Sequence, residues 1–247
     1  LRAALSSPSY EPLSLNIGSA TDAYQPAERK LGITRAVIGV LSEFRHPFSV
    51  ITKSAGIERD IDLMAPMAAE GLAAAYVSIT TLDGGLARIL EPRASLPERR
   101  LRTIERLAQA GIPVGVSVSP VIPFINEPEI ERILEAAAHA GASRAFSIVL
   151  RLPWEVNPLF QQWLGQHYPE RAKRVMARIH DMRGGRDNDP QFGSRMTGHG
   201  LWAELIRQRF DKCVARLGLN KQRFELDLSK FARPPGPRAD NAQQSLF

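Results

Sequence analysis

Residues 97–123 read PERRLRTIERLAQAGIPVGVSVSPVIP. Leu101, Ile104, Leu107 and Ala108 recur at helical spacing behind Pro97, and the pattern stops at Gly111. Glycine suits the left-handed turn that ends a helix. An apolar, β-branched run follows at 114–122 and reads as a strand buried on both faces. Four more runs of that kind lie at 13–18, 48–52, 75–80 and 145–150, with helical patterns at 26–44, 57–69 and 127–140 between them. This alternation predicts an α/β protein with parallel strands and helices outside them. Neither a GxGxxG nor a GxxxxGK(S/T) loop follows a strand, so the nucleotide-binding open sheets lose support. The expected architecture is a partial TIM-type barrel. Five strands do not close a barrel easily. If a strand precedes residue 1, the 13–18 strand has a bare edge.

After residue 150 the alternation ends. Segments 159–167, 169–182 and 201–217 read as helices, and 183–200, rich in Gly, Asp and Arg, as a long ordered loop or lid. Segment 223–228 alternates like a short strand, and the Pro-rich 232–242 reads as an extended tail. The expected parts are a partial βα barrel over 1–155, C-terminal helices and a basic loop over 156–220, and a tail over 221–247. The chain opens at Leu1 inside a segment that already looks helical, which suggests a piece of a longer parent.

At 44% hydrophobic and 23% charged residues, the 247-residue chain is neither disordered, collagen-like nor coiled-coil. It has no apolar run long enough to span a membrane. Its one cysteine, Cys213, excludes a disulfide framework and any metal site built from several of its own thiolates. No secretory signal is visible, and a reducing cytoplasm is the default. Residues 1–170 carry a net charge of −2 and residues 171–247 one of +8. That asymmetry suggests an anionic partner such as DNA; the plainer reading is a basic, solvated surface.

In parallel barrels the chemistry sits at the C-terminal strand ends. Here those ends offer Ser19, Ala20, Thr21 and Asp22; then Thr52, Lys53 and Ser54; then Ser78, Thr80 and Glu91; then Ser117, Ser119, Val121 and Ile122; and last Arg151 and Leu152. Converging hydroxyls and a lysine suit a polar ligand with a carboxylate and a ribose, the lysine acting as a point charge. The alternatives are structural. Ser and Thr also begin turns, Lys53 can be a surface lysine, and Asp22 and Glu28 can cap the next helix. The five histidines show no metal-ligand spacing, and Cys213 reads as a small buried hydrophobe.

Ser19-Ala-Thr-Asp-Ala-Tyr-Gln-Pro-Ala-Glu28 resembles the second-strand motif of radical S-adenosylmethionine (SAM) proteins of the spore photoproduct lyase-related branch. The resemblance continues through Thr52-Lys-Ser54, Val77-Ser-Ile-Thr-Thr81, Glu91-Pro-Arg93, Ala110-Gly-Ile-Pro-Val114, Pro120-Val-Ile-Pro123, Leu150-Arg-Leu-Pro153 and Met182-Arg-Gly-Gly-Arg-Asp187. It implies a (β/α)6 partial barrel with SAM across the strand ends, bound to a [4Fe-4S] cluster. By carry-over, Ser19, Ala20 and Thr21 meet the methionine amino group, and Lys53 pairs with its carboxylate. Ser78 and Thr80 face the ribose, and Val121, Ile122 and Leu152 line the adenine. Reductive cleavage of SAM then yields a 5′-deoxyadenosyl radical, with the protein positioning it and excluding water.

The family's three-cysteine loop lies upstream of the second-strand motif and is not in this sequence. Either a longer parent holds those cysteines, or the chain is a cluster-free relative. Gln243-Gln-Ser-Leu246-Phe247 resembles the peptide by which bacterial DNA-repair and replication proteins dock on the sliding clamp. Gln243, Leu246 and Phe247 supply the anchors, Gln244 departs from the usual leucine, and chance or packing on the domain is the alternative. Two function classes stand: the SAM-binding core of a radical SAM enzyme linked to DNA or nucleobase repair, or a cluster-free module binding nucleic acid or the clamp. A TIM-barrel enzyme for a phosphorylated substrate ranks behind both, because no Gly-rich loop follows a late strand.

Overall fold

The computed structural model describes residues 1–221 and 225–234. Its elements run α1 (Arg2–Ser6), β1 (Leu15–Ile17), α2 (Glu28–Leu31), α3 (Ile33–Glu43), β2 (Phe48–Thr52), α4 (Ile61–Ala69), β3 (Ala73–Ser78), α5 (Gly84–Leu90), α6 (Pro97–Gln109) and β4 (Val114–Val121). They continue with α7 (Ile130–His139), β5 (Arg144–Val149), α8 (Val156–His167), α9 (Pro169–Met182), α10 (Ser194–Thr197) and α11 (Gly200–Leu217). Every strand is parallel to its neighbours. Their order in space, β1-β2-β3-β4-β5, is their order in the chain. A doubly wound sheet reverses strand order at a switch point. Here each helical crossover steps one strand onward, as in a TIM barrel. The described sheet stays open, with β1 and β5 as its edges.

The position of a strand explains its burial. β2, β3 and most of β4 lie mid-sheet and are buried almost throughout. β1 is shorter than the 13–18 run, and Leu13 is 71% exposed. β5 alternates between buried and half-buried residues. The expectation that both edge runs are buried on both faces is therefore corrected. The 26–44 pattern is two helices, because Gly32 takes a left-handed φ of 61° between them. Glu28 accepts hydrogen bonds from the Thr34 and Arg35 amides, so it caps α3. The expected helix at 57–69 begins as the 3-10 turn Ala55–Asp60.

Sequence periodicity does not reveal α5. It is started by Asp83, whose side chain accepts from the Gly85 and Leu86 amides. The 183–200 segment contains α10. Residues 225–227 form no strand, and Leu228–Lys230 is a 3-10 turn, which corrects the short strand expected at 223–228; residues 222–224 lie outside the described ones. Most of the expected tail lies outside them too.

Two apolar cores result. The larger joins the sheet to α3, α4, α6, α7 and α11 and includes Cys213. The smaller gathers Leu86, Ile122, Ile125, Leu150, Leu152, Phe160, Leu164, Val175 and Ile179 beneath the α8–α9 hairpin. It anchors that hairpin beside the C-terminal ends of β4 and β5.

Gly18 closes β1 onto β2. Its φ is +96°, and a Cβ there would lie 2.2 Å from the Ile51 carbonyl oxygen. Gly18→Ala is expected to cost about 1–3 kcal/mol, read as a lower urea midpoint. An unchanged midpoint contradicts this account of the β1 end.

Candidate cofactor site

A cavity of about 670 Å³ opens at the C-terminal strand ends. Ser19, Ala20, Thr21, Lys53 and Ser78 line it, together with Ser117, Ser119, Phe146, Ile148, Arg151 and Met196. The loop after β1 is held there by Asp22. Its Oδ1 accepts from the Tyr24 amide (2.8 Å) and the Thr52 hydroxyl (2.6 Å), and its Oδ2 from the Lys53 amide (2.7 Å). Asp22 thus clamps β1 to β2 and does not cap the following helix.

Lys53 lies on the wall with its side chain one-third exposed, and its Nζ is 2.6 Å from Glu91 Oε1. The Thr80 hydroxyl donates to the same oxygen at 2.6 Å. Glu91 Oε2 accepts from Arg100 Nη2 at 2.6 Å. Arg100 is 1% exposed, and its remaining donors reach the Ser95 carbonyl (2.6 Å) and the Ser78 carbonyl (2.9 Å). Two cations thus share one buried carboxylate, which leaves a surplus positive charge, and Lys53 brings it to the cavity wall. Burial alone would raise the Glu91 carboxyl, but Lys53 and Arg100, with hydrogen bonds from Lys53 and Thr80, hold it below the usual carboxylate range. Ser78 is buried, and its hydroxyl has no hydrogen-bond partner among the described residues, so it is free to serve a ligand.

A second staple joins β3 to β4. The pairing of β4 with β5 shifts register between Val118 and Val121. Backbone groups freed near such an irregularity need partners. Asn126, 2% exposed, donates to the Thr80 and Pro120 carbonyls (2.7 and 2.8 Å) and accepts from the Ile122 amide (2.6 Å). A third staple is Arg183, also 2% exposed. It donates to the Leu150 and Val149 carbonyls at the end of β5 and to the Arg195 and Ser194 carbonyls of α10. This brings Met196 to the cavity.

The structure brings five of the nine sequence-assigned cofactor residues onto this wall: Ser19, Ala20, Thr21, Lys53 and Ser78. Thr80 is fully buried behind it, bonded to Glu91. Ile122 and Leu152 sit in the smaller apolar core, and buried Val121 lines a separate small cavity with Met196 and Ala203. The apolar surface facing the main cavity is instead Phe146 and Ile148 of β5. Gln243, Leu246 and Phe247 lie outside the described residues. Sequence reading missed Arg100 and Asn126. Arg100 had a signal, because it falls on the buried stripe of α6 four residues before Ile104 and seven before Leu107. Asn126, in an irregular turn, had none.

The family model of the radical SAM superfamily matches residues 14–137, half of the chain, and the chain belongs to that family. A protein of Mycobacterium tuberculosis is 31% identical over 176 residues, which cover 70% of this chain and 52% of that protein. One of Methanocaldococcus jannaschii is 26% identical over 157 residues, 62% and 56% respectively. Both carry the description "uncharacterized protein". The chain spans about half the length of the curated relatives it matches. Spore photoproduct lyase complexed with dinucleoside spore photoproduct has the same fold, with a TM-score of 0.60 at 14% identity, covering 85% of this chain and 61% of that one. No helix among the described residues is long and apolar enough to cross a membrane.

Because its folded pKa is depressed, Glu91 contributes stability that is present above its unfolded value and lost as pH falls through the folded one. Glu91→Gln should lower stability at neutral pH by roughly 3 kcal/mol. The gap to the wild type should close below about pH 4.3. Urea midpoints measured across that range test both statements, and a pH-independent gap contradicts them.

Proposed function

We propose that this chain is the SAM-binding core of a radical SAM enzyme. The observation that carries the reading is Lys53, whose ammonium brings the surplus charge of the Glu91–Arg100 pair to the wall of a hydroxyl-rich cavity. A carboxylate entering there meets a positive field without having to neutralise Glu91 first. Lys53 would hold the methionine carboxylate of SAM, and the backbone and hydroxyls of Ser19, Ala20 and Thr21 its amino group. Ser78 would bond the ribose, and Phe146 and Ile148 offer apolar surface for the adenine. Thr80 acts from behind by fixing Glu91. When bound and reduced, SAM supplies the 5′-deoxyadenosyl radical of this family. The chain's own residues bind and orient the cofactor and keep water from it.

The iron–sulfur cluster does not fit the described residues. They contain no grouping of three or more His, Cys, Asp or Glu side chains that could hold a metal ion, and Cys213 is buried in α11. Its ligands would lie outside them, and no step here depends on it. We further propose a reaction on DNA or a nucleobase in the cytoplasm. The net charge of +8 over residues 171–247 and the fold shared with a DNA-lesion enzyme support this. Docking on a bacterial sliding clamp through Gln243, Leu246 and Phe247 belongs to the same proposal. Loss of clamp binding on removal of residues 243–247 tests that part.

Lys53→Ala should weaken SAM binding by about tenfold or more, the loss typical of a charge-assisted hydrogen bond. Calorimetry on the whole protein measures it, and unchanged affinity overturns the Lys53 assignment. DNA binding that falls steeply with salt, in a protein that never binds SAM, favours the cluster-free module instead.

A further inference from the structure

The cavity carries a second cation, on the flank opposite Lys53. Arg151 follows β5 by two residues, is half-buried, and lines the cavity wall. Its Nε is sealed from solvent and has no hydrogen-bond partner. No carboxylate forms an ion pair with it among the described residues, and its printed polar neighbour is the Met196 sulfur, 4.0 Å from Nη1. Most cations at this rim are committed. Lys53 and Arg100 share Glu91, and Arg183 spends its donors on four carbonyls. Arg151 is not.

Its surroundings make the orphan more costly. The charge of Arg183 repels that of Arg151, and Asp189 is the carboxylate near that pair. Asp189 is itself occupied by the Ser194 hydroxyl (2.6 Å), the Gln191 amide (2.9 Å) and His199. A buried donor without an acceptor, in a locally positive field, calls for an anion. A guanidinium offers two parallel N–H groups that fit a carboxylate or phosphate.

The anion of SAM does not answer this need if it sits on Lys53. Two strands separate β2 from β5, so the two cations are about three strand spacings apart, roughly 14 Å along the sheet. We propose that Arg151 forms a second anion subsite, which binds an oxyanion group, a phosphate ester or a carboxylate, of the molecule that shares the cavity. That this molecule is the one acted upon rests on the radical SAM reading; the anion site itself does not.

The test follows the Arg151 Nε–H resonance by NMR in the whole protein with ¹⁵N-labelled arginine. Inorganic phosphate is the probe in one titration and acetate in another. The resonance is assigned by its loss in Arg151→Gln, or in Arg151→Lys if the first variant fails to fold. A saturable shift is expected, and it persists in Lys53→Ala, where SAM binding is weakened. A shift with phosphate alone identifies a phosphate ester as the group recognised. A shift with both probes identifies an oxyanion site that accepts carboxylates as well. Arg151→Gln should weaken anion binding by about tenfold or more. If neither probe moves the resonance saturably, or if the shift disappears in Lys53→Ala, Arg151 is not a separate anion subsite. Loss of SAM binding in Lys53→Ala with the Arg151 shift intact keeps the two assignments apart.

Discussion

Glu91 divides its two oxygens, Oε1 to Lys53 and Thr80, Oε2 to Arg100. One carboxylate therefore ties the end of β2 to the segment after β3 and to the first turns of α6. Because Arg100 also bonds the Ser78 carbonyl, the group fixes the backbone beside the candidate ribose contact. Removing the carboxylate would leave the Arg100 charge buried without its partner, a loss of about 3–5 kcal/mol in comparable sites. The same arrangement does electrostatic work. It lowers the desolvation cost of holding Lys53 at the wall while leaving a positive field for an incoming carboxylate.

The other ends of the sheet are fixed by side chains of the same kind. Asp22 holds the first loop to β2, Asn126 holds β3 to β4, and Arg183 holds β5 to α10. Each satisfies backbone groups that the strands leave unpaired where they end. The cavity is thus built by polar staples at the rim above an apolar interior. Its floor can present free hydroxyls because the structural hydrogen bonds are made by other groups.

Much of this was legible in the sequence. The helix at 97–109 and the strand at 114–121 follow from periodicity and from Gly111, and the in-order parallel sheet follows from their repetition. Lys53 and Ser78 could be located because the residue after a parallel strand faces the functional rim. Val121, Ile122 and Leu152 show the limit of that rule. The register shift in β4 turns the residues beyond it, and the α8–α9 hairpin claims Ile122 and Leu152 for its own core. Tertiary packing of that sort leaves no mark in local pattern. The role of Thr80 was hidden similarly, since a hydroxyl bonded to a buried carboxylate and one facing a ligand look alike in sequence.

Membership of the radical SAM superfamily and the geometry of the rim are independent observations that converge on Lys53. The central claim is that SAM lies across these strand ends with its carboxylate on that side chain. A crystal structure of the whole protein with SAM tests it most directly. The account predicts the methionine carboxylate within ion-pair distance of Lys53 Nζ and the ribose at Ser78. SAM ordered in another cavity, such as the one that α9 lines with Lys173, Met176 and His180, with Lys53 still bonded to Glu91 alone, would contradict it.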